Sequence, residues 1–331
     1  MKKTDPYRVT IVGAGHYARN LISPVYNDTE EIVITSVISP RTQAEDLRHT
    51  ALEHVLLFRD FSQWKKHFGH TTPKDIFDFC VHHPAIPHLM DEFSNIGGTQ
   101  CILPKPVAIT EKAWDSIEKI CRHDNIKCAV ASQWFYSMLI NRLADLIRPV
   151  KNTLKRIEIE FSQEFSAEQL KHYGPTSGFL PHMLQILSSI GFETNKLDGR
   201  ILSRKDLGYG ISYNKPLMIN LVTNMGPRPQ NKKRLRRVKI FSDSLNPFIE
   251  ADLESYFMNG RIVRHSSIEY NSVKEEIQEN NLKTMTQKIL SAFHNNSIPF
   301  SENKEVLSLN AYRPIAHELI AIEKTTNPTG L

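Results

Sequence analysis

No stretch of this chain approaches the roughly 20 consecutive apolar residues that a membrane-spanning helix needs, so no membrane partner is expected. Cysteine is scarce: Cys80, Cys101, Cys121 and Cys128 are the four present, and no two form a CxxC pair. That spacing matches neither a disulfide framework nor a metal site. Cys80 and Cys101 end apolar, strand-like runs, so buried thiols in a reducing cytoplasm are expected. No secretory leader is expected either. MKKTDPYRVTIVGAG opens with two lysines, but Asp5, Pro6 and the glycines interrupt any apolar core. Nor is there a large excess of one charge. A net charge of +5 in 331 residues does not by itself point to nucleic acid, yet suits an anionic cofactor or substrate. Internal repeats and low-complexity tracts are absent as well.

What is present is the composition of an ordinary globular chain long enough for two domains, with 40% hydrophobic and 23% charged residues. Residues 7–12 and 32–38 are β-branched, continuously apolar runs of the kind found in parallel strands covered on both faces. Short strands are expected again at 55–58, 75–81, 99–104 and 127–132. Helical segments alternate with them at 16–26, 42–53, 61–68, 87–95 and 110–124. This alternation predicts an α/β Rossmann domain, a doubly wound parallel sheet, over residues 1–130. Beyond it the pattern changes. LKRIEIEFSQEF (154–165) alternates like a half-solvated strand, and further strands follow in 214–223, 236–243 and 249–270, where Asn259–Gly260 signals a hairpin turn. Residues 131–331 are therefore expected to form an α+β domain with a mainly antiparallel open sheet. Its helices are placed at 179–190, about 274–295 and 303–323.

The sharpest chemical signal is VTIVGAGHYARN (9–20). Gly13, Gly15 and Ala18 form G-x-G-x-x-A between a strand and a helix. Gly13 permits the tight turn, Gly15 lets the backbone approach a pyrophosphate, and Ala18 keeps the helix close to the sheet. His16 and Tyr17, inside the same turn, are further cofactor contacts. The end of the second strand selects the cofactor. A carboxylate there would bind the ribose 2′-hydroxyl of NAD, but the chain reads VISPRTQ, with Ser39 lying 21 residues beyond Ala18. Ser39, Arg41 and Thr42 offer two hydroxyls and a guanidinium to a 2′-phosphate, so NADP(H) is the expected cofactor.

From these residues onward the chain resembles the Gfo/Idh/MocA family, the glucose–fructose oxidoreductase and inositol dehydrogenase group. DIFDFCVHHPAIPH (75–88) is similar to the family's fourth strand and following loop, with His83, Pro84 and His88 as implied cofactor contacts. CILPKPVAIT (101–110) resembles its E-K-P motif: Lys105 falls on the lysine that sits beside nicotinamide and substrate, with Pro104 in place of the glutamate. The resemblance also implies a cis bond before Pro106. SGFLPHMLQILSSIG (177–191) occupies the place of a D-x-x-x-H-x-x-D helix. His182 matches the general acid/base histidine, while Gly178 and Gln185 replace the two aspartates. At helical spacing Gly178, His182, Gln185 and Ser189 form one stripe. Lys105 and His182 are thus the implied catalytic pair, and Trp134 and Gln185 candidate substrate contacts. Loss of the acids shifts weight from sugar oxidation toward reduction of a carbonyl or imine.

The resemblance implies an enzyme acting on a small molecule, forming a homodimer or homotetramer. The competing expectation is a non-catalytic NADP(H)-binding sensor or assembly partner. His82, His83 and His88 match no common metal spacing, so no metal is expected. The basic run 226–241 reads as a solvated loop before a strand, not as a nucleic-acid module.

Overall fold

The structure is a computed structural model that describes residues 5–163, 178–194, 199–205, 208–213, 217–224, 235–242, 246–254, 256–258, 261–264, 266–294 and 307–326. The chain divides into two compact units, Met1–Ser132 with Leu282–Ala316, and Gln133–Asn281 with His317–Leu331.

In the first unit six strands form one parallel sheet: β1 (Tyr7–Val12), β2 (Ile32–Ile38), β3 (Leu56–Phe58), β4 (Asp75–Phe79), β5 (Gln100–Leu103) and β6 (Lys127–Val130). Their order is β3-β2-β1-β4-β5-β6. All five residues of β4 are buried, so both sheet faces are covered at the centre, and its two aspartates are paired with Arg8 and Tyr26. The chain winds outward from β1 to β3, then returns to β4, and this reversal between β1 and β4 is where such sheets bind ligands. A five-residue π-helical turn, Ala18–Ile22, leads into α1 (Ser23–Asn27). It is followed by α2 (Phe61–Phe68), α3 (Ile86–Asn95) and α4 (Glu111–His123). Asp60 caps α2 by accepting from Gln63 N at 2.8 Å, and Thr110 caps α4 from Ala113 N at 3.3 Å.

The second unit holds α5 (Met138–Ile147), α6 (Leu180–Ser189) and an eight-stranded sheet. Its strands are β7 (Arg156–Ser162), β8 (Gly199–Lys205), β9 (Gly208–Tyr213), β10 (Met218–Asn224), β11 (Leu235–Phe241), β12 (Ile249–Asp252), β15 (Ser266–Tyr270) and β16 (Val273–Ile277). The order is β16-β15-β12-β11-β7-β10-β9-β8, and every neighbouring pair is antiparallel except β7–β10. In β7 the alternation seen in the sequence is literal: Ile157, Ile159 and Phe161 are buried and Arg156, Glu158 and Glu160 are half-exposed. A separate antiparallel pair joins β13 (Tyr256–Met258) to β14 (Arg261–Arg264), flanking Asn259–Gly260, which lie outside the described residues. Most of the basic run, 226–234, lies outside them too. The chain closes with α7 (Asn281–His294) and α8 (Leu309–Thr326).

Three segments differ from their sequence reading. Residues 42–53 form only one 3₁₀ turn, Ala44–Leu47, and then irregular turns. His49 takes a positive φ of 60°, and the Thr50 hydroxyl bonds the Leu47 carbonyl at 2.6 Å, competing with helix propagation. Residues 16–26 are helical as expected, but Ala18–Ile22 within them form a π turn. Residues 274–277, expected at the start of a helix, are strand β16. Asn271 and Ser272 both have positive φ, 50° and 64°, so the chain reverses in a tight hairpin after β15 and the helix waits until Asn281.

Candidate functional site

In the first unit, the loops leaving the C-terminal ends of the parallel strands bring several of the expected residues to one sheet edge. Gly13 follows β1 with φ +94°, and its N–H bonds the Ile38 carbonyl at 2.8 Å. A Cβ there would stand 2.7 Å from Val81 Cγ1 and 2.8 Å from the Cys80 carbonyl, so the turn needs glycine for both conformation and space. Gly15 is the opposite case. A Cβ at that position would meet nothing within 4 Å, which leaves the exposed backbone open to an approaching phosphate. Ala18 is fully buried, holding the helical segment against the sheet. These features fit a dinucleotide pyrophosphate. His16 is exposed, its Nδ1 2.9 Å from the Asn20 amide nitrogen.

After β2, the Ser39 and Thr42 hydroxyls lie 2.7 Å apart, and Arg41 is exposed on the same loop. Sequence reasoning missed Arg59, which follows β3. Its Nη1 donates to the Pro40 carbonyl at 3.0 Å and the Thr42 carbonyl at 2.9 Å, and its Nη2 to Gln43 Oε1 at 2.9 Å. Its position at the end of the strand beside β2 was the available signal. After β4, His83 and Pro84 form a 3₁₀ turn, while His88 sits exposed on α3, with Nε2 3.8 Å from Glu92. After β5, Lys105 is half-buried and donates to the Ala131 carbonyl at 3.0 Å, and the Lys105–Pro106 peptide is cis.

Beneath the glycine turn lies a cluster that the sequence reading did not single out. Asp78, in β4, is buried and accepts from the Tyr26 hydroxyl at 2.7 Å. Burial pushes its carboxyl up from 3.8 to about 6, against the opposing hydrogen bonds from Tyr26 and Cys80. Burial, then the nearby Asp78 charge, push the Tyr17 hydroxyl and the Cys80 thiol well above their ordinary ranges.

In the second unit, His182 lies in the first turns of α6 among aromatic rings. Its ring centroid is 6.1 Å from that of Phe161, 6.4 Å from Trp134 and 6.5 Å from Phe179. Trp134 is buried, and its indole Nε1–H donates to His182 Nδ1 at 2.8 Å. Gln185, one turn on, is buried; its Nε2 donates to Ser189 Oγ at 3.2 Å, while its Oε1 has no partner among the described residues. The stripe therefore turns Gln185 into the interior, and Gly178 lies ahead of the helix, which starts at Leu180. Among the described residues no cluster of three His, Cys, Asp or Glu side chains could hold a metal, and no helix is long and apolar enough to cross a membrane.

The fold is of the Gfo/Idh/MocA type, a parallel Rossmann sheet followed by an open, mostly antiparallel one. No family model matches the chain and no curated protein matches it in sequence, so the likeness is structural. UDP-N-acetylglucosamine 3-dehydrogenase GnnA from Acidithiobacillus ferrooxidans shares the fold over 96% of this chain and 97% of its own, with TM-score 0.66 and 14% identity. KijD10, a 3-ketoreductase from Actinomadura kijaniata solved with TDP-benzene and NADP, does so over 97% and 96%, with TM-score 0.72 and 9% identity. Gal80p from Saccharomyces cerevisiae, in a super-repressor variant, matches over 98% and 96%, with TM-score 0.70 and 15% identity.

Proposed function

We propose that this chain is a divergent Gfo/Idh/MocA-type oxidoreductase that uses NADP(H) to reduce or oxidise a small carbonyl, alcohol or imine substrate. One observation carries the reading: the Gly13–Ala18 turn, the acid-free Ser39–Thr42 loop and Lys105 stand along one sheet edge. KijD10, with NADP, supports a nicotinamide cofactor on this fold. The preference for the 2′-phosphate rests on Ser39, Arg41 and Thr42, whose hydroxyls and guanidinium suit a dianion.

When bound, the nicotinamide supplies or takes up the hydride. The chain's own residues do the rest. The backbone at Gly15 seats the pyrophosphate, and His16, Tyr17, His83, Pro84 and His88 border the same dinucleotide. The Lys105 ammonium donates to the reacting oxygen or nitrogen of the substrate and carries the proton that balances the hydride. His182 is the second residue of the proposed catalytic pair, with Trp134 and Gln185 as candidate substrate contacts. A homodimer or homotetramer, and a reducing cytoplasm for the four free thiols, belong to the same proposal.

With a working substrate, His182→Ala and Lys105→Ala should each lower turnover by roughly a hundredfold or more, with NADPH affinity nearly unchanged. Two variants that turn over like wild type would sink the catalytic assignment. The second reading is a non-catalytic NADP(H) sensor, favoured by the loss of carboxylates at Gly178 and Gln185 and by the Gal80p fold. Saturable NADPH binding without turnover across a broad panel of carbonyls, alcohols and imines selects it.

A further inference from the structure

The indole N–H of Trp134 points at His182 Nδ1, and an indole nitrogen can only donate. Nδ1 must therefore present its lone pair, which leaves the single proton of the neutral imidazole on Nε2. Protonating Nδ1 would set two N–H groups against each other at 2.8 Å. Trp134 is only 2% exposed, so water cannot take over its N–H when that bond is lost. Among the described residues, apolar rings and an ion pair lie close by. Phe161 and Phe179 contribute apolar rings. Among the described residues, the charges near these rings include Arg236, whose guanidinium carbon lies 5.7 Å from the Trp134 ring centre and 5.6 Å from that of Phe161, and Glu254, which pairs with Arg236 at 3.4 Å.

We propose that Trp134 is a positioning residue that fixes His182 as its Nε2–H tautomer and holds it neutral. In this state Nε2 offers a hydrogen-bond donor and no lone pair. His182 then cannot take a proton from an alcohol, as a general base must. It can polarise a carbonyl oxygen or an imine nitrogen by donating to it, which favours the reductive direction. The balancing proton then comes from Lys105. This catalytic consequence rests on the placement of His182 at the substrate proposed above; the tautomer itself does not.

The test is nitrogen-15 NMR of the full chain carrying labelled histidine, without added cofactor, with the His182 signal identified by its loss in His182→Gln. Wild type should show Nδ1 unprotonated and Nε2 protonated throughout about pH 5–8. Trp134→Phe should titrate at a pH higher by about one unit or more, the scale expected for freeing a buried donor from a lost acceptor. Should that variant not fold, the wild-type spectrum still decides the tautomer. An Nδ1–H tautomer in wild type, or titration at the same pH with and without the indole, overturns the proposal even if turnover is normal. The predicted spectrum in a chain that turns nothing over overturns the catalytic reading alone.

Discussion

Arg41 and Arg59 serve the loop after β2 in different ways. Arg59 spends donors on Pro40, Thr42 and Gln43 and so holds the loop's shape, whereas Arg41 stands exposed on it. Arg41→Ala should weaken NADPH by tenfold to a hundredfold, the equivalent of roughly 1.5–3 kcal/mol for one charge-assisted contact, and leave NADH unaffected. Parallel titrations of both cofactors into both proteins check this, and equal losses for the two would contradict it. Asp78 makes a different residue-level prediction. Its carboxyl, raised to about 6, keeps a proton in the folded chain that the unfolded chain has already released above about pH 4. The folded state thus binds the extra proton, and stability from this site falls as pH rises through roughly 4 to 6. Asp78→Asn keeps an acceptor for Tyr26 and removes the titration. Relative to wild type it should gain up to about 3 kcal/mol between pH 4 and pH 7 in urea unfolding. Identical pH profiles for the two chains would show that Asp78 titrates normally.

The start of α5 shows how one buried carboxylate organises an element. Ser137 Oγ accepts from Ile140 N at 3.2 Å and donates to Glu279 Oε1 at 2.7 Å, while Glu279 Oε2 accepts from Met138 N at 2.5 Å. Burial raises the Glu279 carboxyl, and the hydrogen bonds from Ser137 and the α5 backbone oppose that shift. Ser137→Ala should lower unfolding stability by about 1–2 kcal/mol through loss of the cap, and a change within a few tenths would contradict the assignment. The glycine turn is less forgiving. Gly13→Ala meets both a φ of +94° and two contacts under 3 Å, so it should abolish NADPH binding even where the chain still folds. Elements like β1, β2 and β4 were legible because central strands are dominated by β-branched and aromatic residues. The Asn271–Ser272 hairpin was not, since Lys274, Glu275 and Glu276 of β16 are exposed edge residues whose charges read equally well as helix. The π turn at Ala18–Ile22 has no sequence signature at all, because only backbone spacing distinguishes it from an α turn.

Across the whole molecule, structures of 9–15% identity follow the chain from end to end. That fits a fold specified by where apolar residues fall, which many sequences satisfy. The two-sheet architecture was accordingly readable from periodicity, and the glycine turn from spacing that its backbone demands. The Trp134–His182 bond, the Arg59 brace and the buried Asp78–Tyr26 pair were not readable, because each joins residues 16 to 52 positions apart through side-chain geometry alone. Function on such a fold is decided by the cofactor the edge loops accept. The direct test is a fluorescence titration of the intact chain with NADPH and with NADH under the same conditions. NADPH should bind saturably and at least about tenfold more tightly than NADH; failure of both to bind, or a preference for NADH, would contradict an NADP(H)-dependent oxidoreductase.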